Sequence, residues 1–249
     1  MNPLSGVLGE SWQLYRTYAR HLLTIAFLVY LIAAIVSAAL GLVGGLVGAL
    51  LGSLVTFVAE FLLTAALVKA VQDVRDGRVD LSVGQTLEAA VPLLGPVAVA
   101  AILAGIGITV GLAIFIIPGL FLLTIWCLIV PAIVLGGTGA LGSFGRSWQL
   151  VKGHFWNVFG ILFMVFLILF AVDLVLGLLF SALPHFLSHF LGSVIAGTLI
   201  APFIAVVITL MYVRLSDGAA GTGSPSGPYG GSGAYGSPGS YGPSGPFGS

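Results

Sequence analysis

Three stretches of this sequence, residues 21–68, 79–145 and 153–213, run without a single Lys or Arg. Each is overwhelmingly apolar, and each is long enough to cross a bilayer twice, since one helical crossing takes roughly 20 apolar residues. The eight basic residues, Arg16, Arg20, Lys69, Arg75, Arg78, Arg146, Lys152 and Arg214, all lie at the borders of these stretches. Only 6% of the chain is charged and 59% is hydrophobic. A soluble domain carries about 25% charged residues, so water could not solvate a surface made from this chain and lipid must do so instead.

The expected fold is therefore all-α: a polytopic membrane protein with six transmembrane helices at about 21–43, 46–70, 96–117, 120–135, 158–183 and 191–215. Gly44-Gly45 and Pro118-Gly119 read as turns, and Pro184 to Phe190 as a short aromatic connection. Pro131 should kink the fourth span, and Pro202 lies inside the sixth. Gly44, Gly48 and Gly52 form a row of small residues that lets helix backbones approach closely.

A shorter, more polar segment precedes each pair of spans. Residues 4–20, 82–94 and 140–157 read as interfacial helices, the second broken near Pro92. Ser11-Trp12-Gln13-Leu14 recurs as Ser147-Trp148-Gln149-Leu150, and Ser82-Val83-Gly84-Gln85 opens the middle segment in the manner of Ser143-Phe144-Gly145-Arg146. The chain thus reads as three copies of one unit, an interfacial helix followed by a hairpin. Each unit crosses twice, so the repeats are parallel rather than inverted.

With six spans every basic residue falls on the side of the termini, while the connections around Gly44, Pro118 and Pro184 hold none. The positive-inside rule then predicts a cell-membrane protein with both termini cytoplasmic. The first residues do not read as a signal peptide, because Arg16 and Arg20 come late and no small-residue cleavage site precedes a polar region. Residues 218–249 are Gly-, Ser-, Pro- and Tyr-rich, with Tyr229, Tyr235, Tyr241 and Phe247 at every sixth position. Such a segment has too little to bury and is expected to be a disordered cytoplasmic tail, either a sticker for a protein partner or a plain solvated terminus.

Few side chains could carry chemistry. Glu60 and Asp173 are acids inside spans, where an ionisable group costs roughly 3 kcal/mol or more near the bilayer centre. Ser53, Thr56, Glu60 and Thr64 recur at helical spacing on one narrow face. Two readings follow: a proton- or cation-handling pair or headgroup pocket, or two protonated acids hydrogen-bonded between helices. No Lys or Arg lies deep in a span to pair with them. In the surface segments Arg146, Trp148, Lys152, Trp12 and Arg16 are candidates for headgroup or partner contacts, or for plain interfacial anchoring.

Other classes find no support. His185 and His189 share a spacing that could face a metal, but no third ligand is near in sequence, and no metal or cofactor is expected. Cys127 stands alone in an apolar run. No nucleophile–base constellation, phosphate loop or dinucleotide fingerprint occurs, so no enzyme is expected. Zero net charge argues against nucleic acid as a partner, leaving membrane lipids and a protein partner of the tail.

The run Ile129-Val130-Pro131-Ala132-Ile133-Val134-Leu135 followed by Arg146 to Trp156 resembles the membrane domain joined to some bacterial glycerophosphodiester phosphodiesterases, and related stand-alone six-span membrane proteins. Ile117-Pro118-Gly119-Leu120 and Asp76-Gly77-Arg78 fit the same pattern. In that pattern an acid often follows the Pro-containing run. Here Gly136-Gly137 stands there, so a role assigned to that acid does not carry over. The resemblance implies a six-span helical fold. It does not imply the phosphodiesterase activity, which belongs to a separate soluble barrel absent from this sequence. Two roles remain as expectations: an accessory or organising protein that works through lipid or protein contacts, or a small transporter using Glu60 and Asp173.

Overall fold

The computed structural model describes residues 3–42, 44–75, 80–180 and 185–222. The Asp76-Gly77-Arg78 loop, Pro184 and residues 223–249 of the tail lie outside the described residues. The described chain is helical: α1 (Val7–Thr17), α2 (Ala19–Leu42), α3 (Gly45–Val74), α4 (Val83–Ala90), α5 (Leu94–Ile114), α6 (Ile116–Trp126), α7 (Ile129–Val134), α8 (Ala140–Val151), α9 (Phe155–Phe180) and α10 (His185–Thr222). Among the described residues six helical segments are long and apolar enough to cross a membrane, α6 and α7 together making the fourth.

Local chemistry explains most boundaries. Gly44 and Gly45 both take positive φ, which glycine alone adopts without strain, and they turn α2 into α3. Ser82 starts α4 with a reciprocal cap: its hydroxyl accepts from the Gln85 backbone N–H while the Gln85 side chain accepts from the Ser82 N–H. Pro92 sits in a single 3-10 turn, Val91–Leu93, that joins α4 to α5. Asp73 near the end of α3 accepts the backbone N–H groups of Asp80 and Leu81, which holds the returning chain at the helix end.

The helices differ from the sequence expectation in three places. The turn between the third and fourth spans is at Phe115, in extended backbone, and not at Pro118-Gly119. Pro118 instead occupies the first turn of α6, where its missing N–H would have had no helical partner anyway. The fourth span breaks at Cys127-Leu128, just before Pro131, rather than merely kinking at it. The last helix does not stop at 215: α10 continues through Gly218 to Thr222, so the start of the segment expected to be tail is helical.

Each interfacial helix packs on the second span of the unit before it. α4 lies against α3, α8 against α6 and α7, and α1 against α10, which closes the ring of three units. One position on this seam is a small hydroxyl in all three copies. Ser11, Thr86 and Ser147 are each fully buried. The repeated Ser-Trp-Gln-Leu segment is therefore buried through its serine, while Trp12 and Trp148 remain half exposed.

The packed core lies in the half of the bundle nearest the termini. It is made by Leu22, Ile25 and Val29 of α2, Leu63 to Val71 of α3, Leu128 to Val134, and Phe203 to Leu215 of α10. Towards the opposite end Leu42, Leu46, Leu50, Phe115, Ile117 and Leu178 are exposed. Lipid tails are as apolar as leucine, so these side chains gain nothing by hiding from them. Helix α9 sits at the rim against α10 and α6, with Val158 and Val165 its only buried residues.

Glycine sets the closest approaches. A β-carbon on Gly119 would lie 2.3 Å from Leu112 Cγ and 2.7 Å from the Leu112 backbone nitrogen, and one on Gly111 would lie 3.1 Å from Gly119 Cα. A β-carbon on Gly107 would lie 2.6 Å from the Trp126 ring. The α5–α6 hairpin thus depends on glycines outside the Gly44-Gly48-Gly52 row. Within that row Gly52 meets the Ser37 backbone at ordinary contact distance.

Candidate functional site

The polar face of α3 does form, and it faces α2. Glu60, halfway along α3, accepts a hydrogen bond from the Tyr30 hydroxyl of α2 at 3.0 Å. Thr56 and Ser37 of α2 both donate to the Gly52 carbonyl and lie 3.0 Å from one another. Thr64 donates to the Glu60 backbone carbonyl at 2.7 Å, and Ser53 to the Leu50 carbonyl. None of these hydroxyls reaches the Glu60 carboxylate. Its partner is Tyr30, whose ring lies across Gly197 of α10, where a β-carbon would come within 2.5 Å of it.

The structure does not bring the two intramembrane acids together. Asp173 is an exposed residue of α9, which packs on α10 and α6 rather than on α3. It has no hydrogen-bond or ion-pair partner among the described residues. Glu60 is likewise exposed at the rim of the α2–α3 pair. None of the three cavities described for this chain is lined by either acid.

The surface segments divide into an exposed aromatic part and a buried hydroxyl part. The Arg16 guanidinium stacks over the Trp12 ring at 5.9 Å, and Trp12 in turn packs on Tyr15 and the edge of Phe203. The Tyr15 hydroxyl donates to the Leu199 carbonyl of α10 at 3.1 Å, three residues before Pro202. Burial pushes the Tyr15 phenol above its ordinary value, so it stays a neutral donor. In the third unit Trp148 meets the edge of Phe121, and Arg146 and Lys152 are exposed or partly so, without ion-pair partners among the described residues.

The decisive residue of that segment is Ser147. Its hydroxyl donates to the Ile125 carbonyl at 2.6 Å and accepts the Leu128 N–H at 3.3 Å. These are the groups freed where the fourth span breaks. Ser11 occupies the same repeat position against α10, but its buried oxygen has no partner among the described residues. The tryptophans are what stand out in the repeated sequence, yet the serine before each is the stronger signal: a small hydroxyl at the same position of every copy.

Two further contacts have no counterpart in the sequence pattern. Arg214, at the end of α10, pairs with Glu10 of α1 and donates to the Ser5 carbonyl at 2.7 Å. It ties the first helix to the last. Glu10 is 43% exposed, so the pair should be weak despite its geometry. A double-mutant cycle of Glu10→Gln and Arg214→Gln is expected to give a coupling energy of about 0.5 kcal/mol that falls as salt is raised. A coupling above about 2 kcal/mol would show the pair to be shielded from solvent. The second contact is at Gly136, where the Tyr212 hydroxyl of α10 fills the space that a side chain would need, 2.4 Å from an added β-carbon. That glycine, standing where the resembled pattern has an acid nearby, makes room for Tyr212.

Three short amphipathic helices packed on a bundle of six long apolar segments, with the polar contacts of the described residues at helix breaks and helix pairs, define a helical multi-pass membrane protein. A family model described as a domain of unknown function, DUF7847, matches residues 7–215, and the chain belongs to that family. The match covers the three units and carries no link to glycerophosphodiester phosphodiesterases. No curated protein and no solved structure matches the chain.

Proposed function

We propose that this chain is a non-enzymatic organising protein of the cell membrane, with both termini in the cytoplasm, that acts through lipid and protein contacts. The observation that carries the reading is the setting of Glu60. Its carboxyl is held by Tyr30 from the adjacent helix, and Asp173 sits on a different helix, with neither acid lining a described cavity. A coupled transporter needs its ionisable groups to meet substrate in a water-filled path at the repeat interface. What the chain offers instead is broad apolar surface, half-exposed tryptophans at the repeat helices and basic side chains at the terminal end of the bundle. The resemblance to membrane domains that accompany a separate enzyme agrees with an accessory role.

Flux across proteoliposome membranes under proton and sodium gradients tests the reading. The wild type, Glu60→Gln and Asp173→Asn are all expected to be silent at matched insertion. Tyr30→Phe should leave flux at zero as well, while lowering stability by about 1 kcal/mol through loss of the hydrogen bond to Glu60. Gradient-driven flux that the wild type shows and either acid variant loses would replace this reading with the transporter.

A further inference from the structure

Between α1, α9 and α10 runs a groove of about 440 Å³ lined by Leu8, Trp12, Tyr15, Val172, Leu199 and Phe203, among others. Its location limits what can fill it. Leu199 and Phe203 lie roughly 16–22 Å along α10 from Arg214, within the depth of a hydrocarbon core about 30 Å thick. The groove therefore opens into lipid at about mid-depth, and its α1 wall, next to the Glu10–Arg214 contact, extends it towards the side of the termini. The surface it presents to an occupant is almost wholly apolar, and the Tyr15 hydroxyl is turned to the Leu199 carbonyl. A polar solute would lose its hydration there and receive little in return.

A cation stands beside this apolar groove. Arg16 is stacked on Trp12, one of the wall residues, and has no acidic partner among the described residues. A long arginine side chain at this level turns its guanidinium towards the headgroups while its stem follows the apolar surface. An acyl chain in the groove and a phosphate at Arg16 belong to one molecule. A helix from a second copy would satisfy the walls but would leave the guanidinium unpaired.

We infer that the groove between α1, α9 and α10 holds one acyl chain of a phospholipid from the terminal-side leaflet, whose headgroup phosphate pairs with Arg16, so that net anionic lipids are favoured. This deepens the lipid-contact reading proposed above. It is tested by labelling rather than by flux, so either can fail while the other stands.

The full chain is reconstituted in phosphatidylcholine vesicles with a trace of phosphatidylglycerol that carries a photoactivatable group on its acyl chain. Labelled residues are then mapped by mass spectrometry. Labelling at Trp12, Val172, Leu199 and Phe203 is expected to be displaced by unlabelled phosphatidylglycerol about fivefold more readily than by phosphatidylcholine, the preference that one interfacial cation supplies. The outward face of α9, at Phe163 and Phe170, provides the internal control and should show no preference. Arg16→Gln should keep the labelling of the groove and abolish the headgroup preference. Groove labelling no more selective than that of Phe163 and Phe170, or a preference unchanged in Arg16→Gln, overturns the inference. An unlabelled groove, with a Val172→Cys chain crosslinking to its own copy, would assign the groove to a second protein and overturn it equally.

Discussion

Replacing Gly119 by alanine is expected to lower stability by about 1–3 kcal/mol, the usual cost of overpacking a close contact, and valine at this position should cost more. The added β-carbon would fall 2.3 Å from Leu112 Cγ and 2.7 Å from the Leu112 backbone nitrogen. The side-chain part of this clash can be relieved, because Leu112 is 41% exposed and free to change rotamer. The backbone part cannot, so α5 and α6 must move apart. That separation would also loosen the Gly111–Gly119 contact and the seat of Trp126 on Gly107. Gly105→Ala, on the partner helix α5 with open space around it, supplies the control. It removes a glycine from a helix interior and should be neutral, or stabilising by up to about 1 kcal/mol. Unfolding in mixed micelles, with the two variants side by side, reads the difference. Equal effects at the two positions would show that the hairpin has slack to give.

Ser147→Ala is expected to cost about 2 kcal/mol, more than Trp148→Ala beside it. The serine is fully buried and serves both groups left at the break in the fourth span, the Ile125 carbonyl and the Leu128 N–H. Without its hydroxyl both are orphaned in a site that water does not reach, and each such loss runs to about 1–3 kcal/mol. The lower part of the summed range is appropriate, since the unfolded chain in a membrane also finds partners for its polar groups. Trp148 is 42% exposed. Its outer face meets lipid, and truncating it exchanges protein–lipid contact for more of the same, so a loss below about 1 kcal/mol is expected. The same unfolding measurement ranks them. A larger loss for Trp148→Ala would mean that the aromatic anchor, and not the stitched helix break, holds α8 in place.

Both predictions rest on features invisible to periodicity. A row of glycines such as Gly44, Gly48 and Gly52 attracts notice because its spacing follows one helix face. Gly119 and Gly197 lie on no such row, and their importance comes from Leu112 and Tyr30 on other helices. The Thr56–Glu60–Thr64 face was legible because three polar residues at helical spacing stand out among apolar ones. The partner of Glu60 was not, since nothing in the spacing distinguishes Tyr30 from the other aromatic residues. Asp173 shows the converse: its depth along α9 could be counted, but its place on the bundle rim depends on how loosely α9 packs.

Hydrophobic length alone determined that this chain forms six spans and that its basic residues share one end with the termini, because the bilayer demands about 20 apolar residues per crossing wherever they sit in the sequence. The repeat of Ser-Trp-Gln-Leu likewise marks the first and third units by residue identity alone. Tertiary structure decided the rest: that each interfacial helix keys into the preceding unit, that Ser147 rather than Trp148 fills the seam, and that Arg214 closes the ring onto Glu10. The physical reason is the solvent. In lipid an apolar side chain is nearly as well off outside as inside, so hydropathy says where the chain crosses but not which faces meet. Those faces are chosen by close backbone approach at glycine and by the few polar groups that must find one another, and both are properties of pairs of helices.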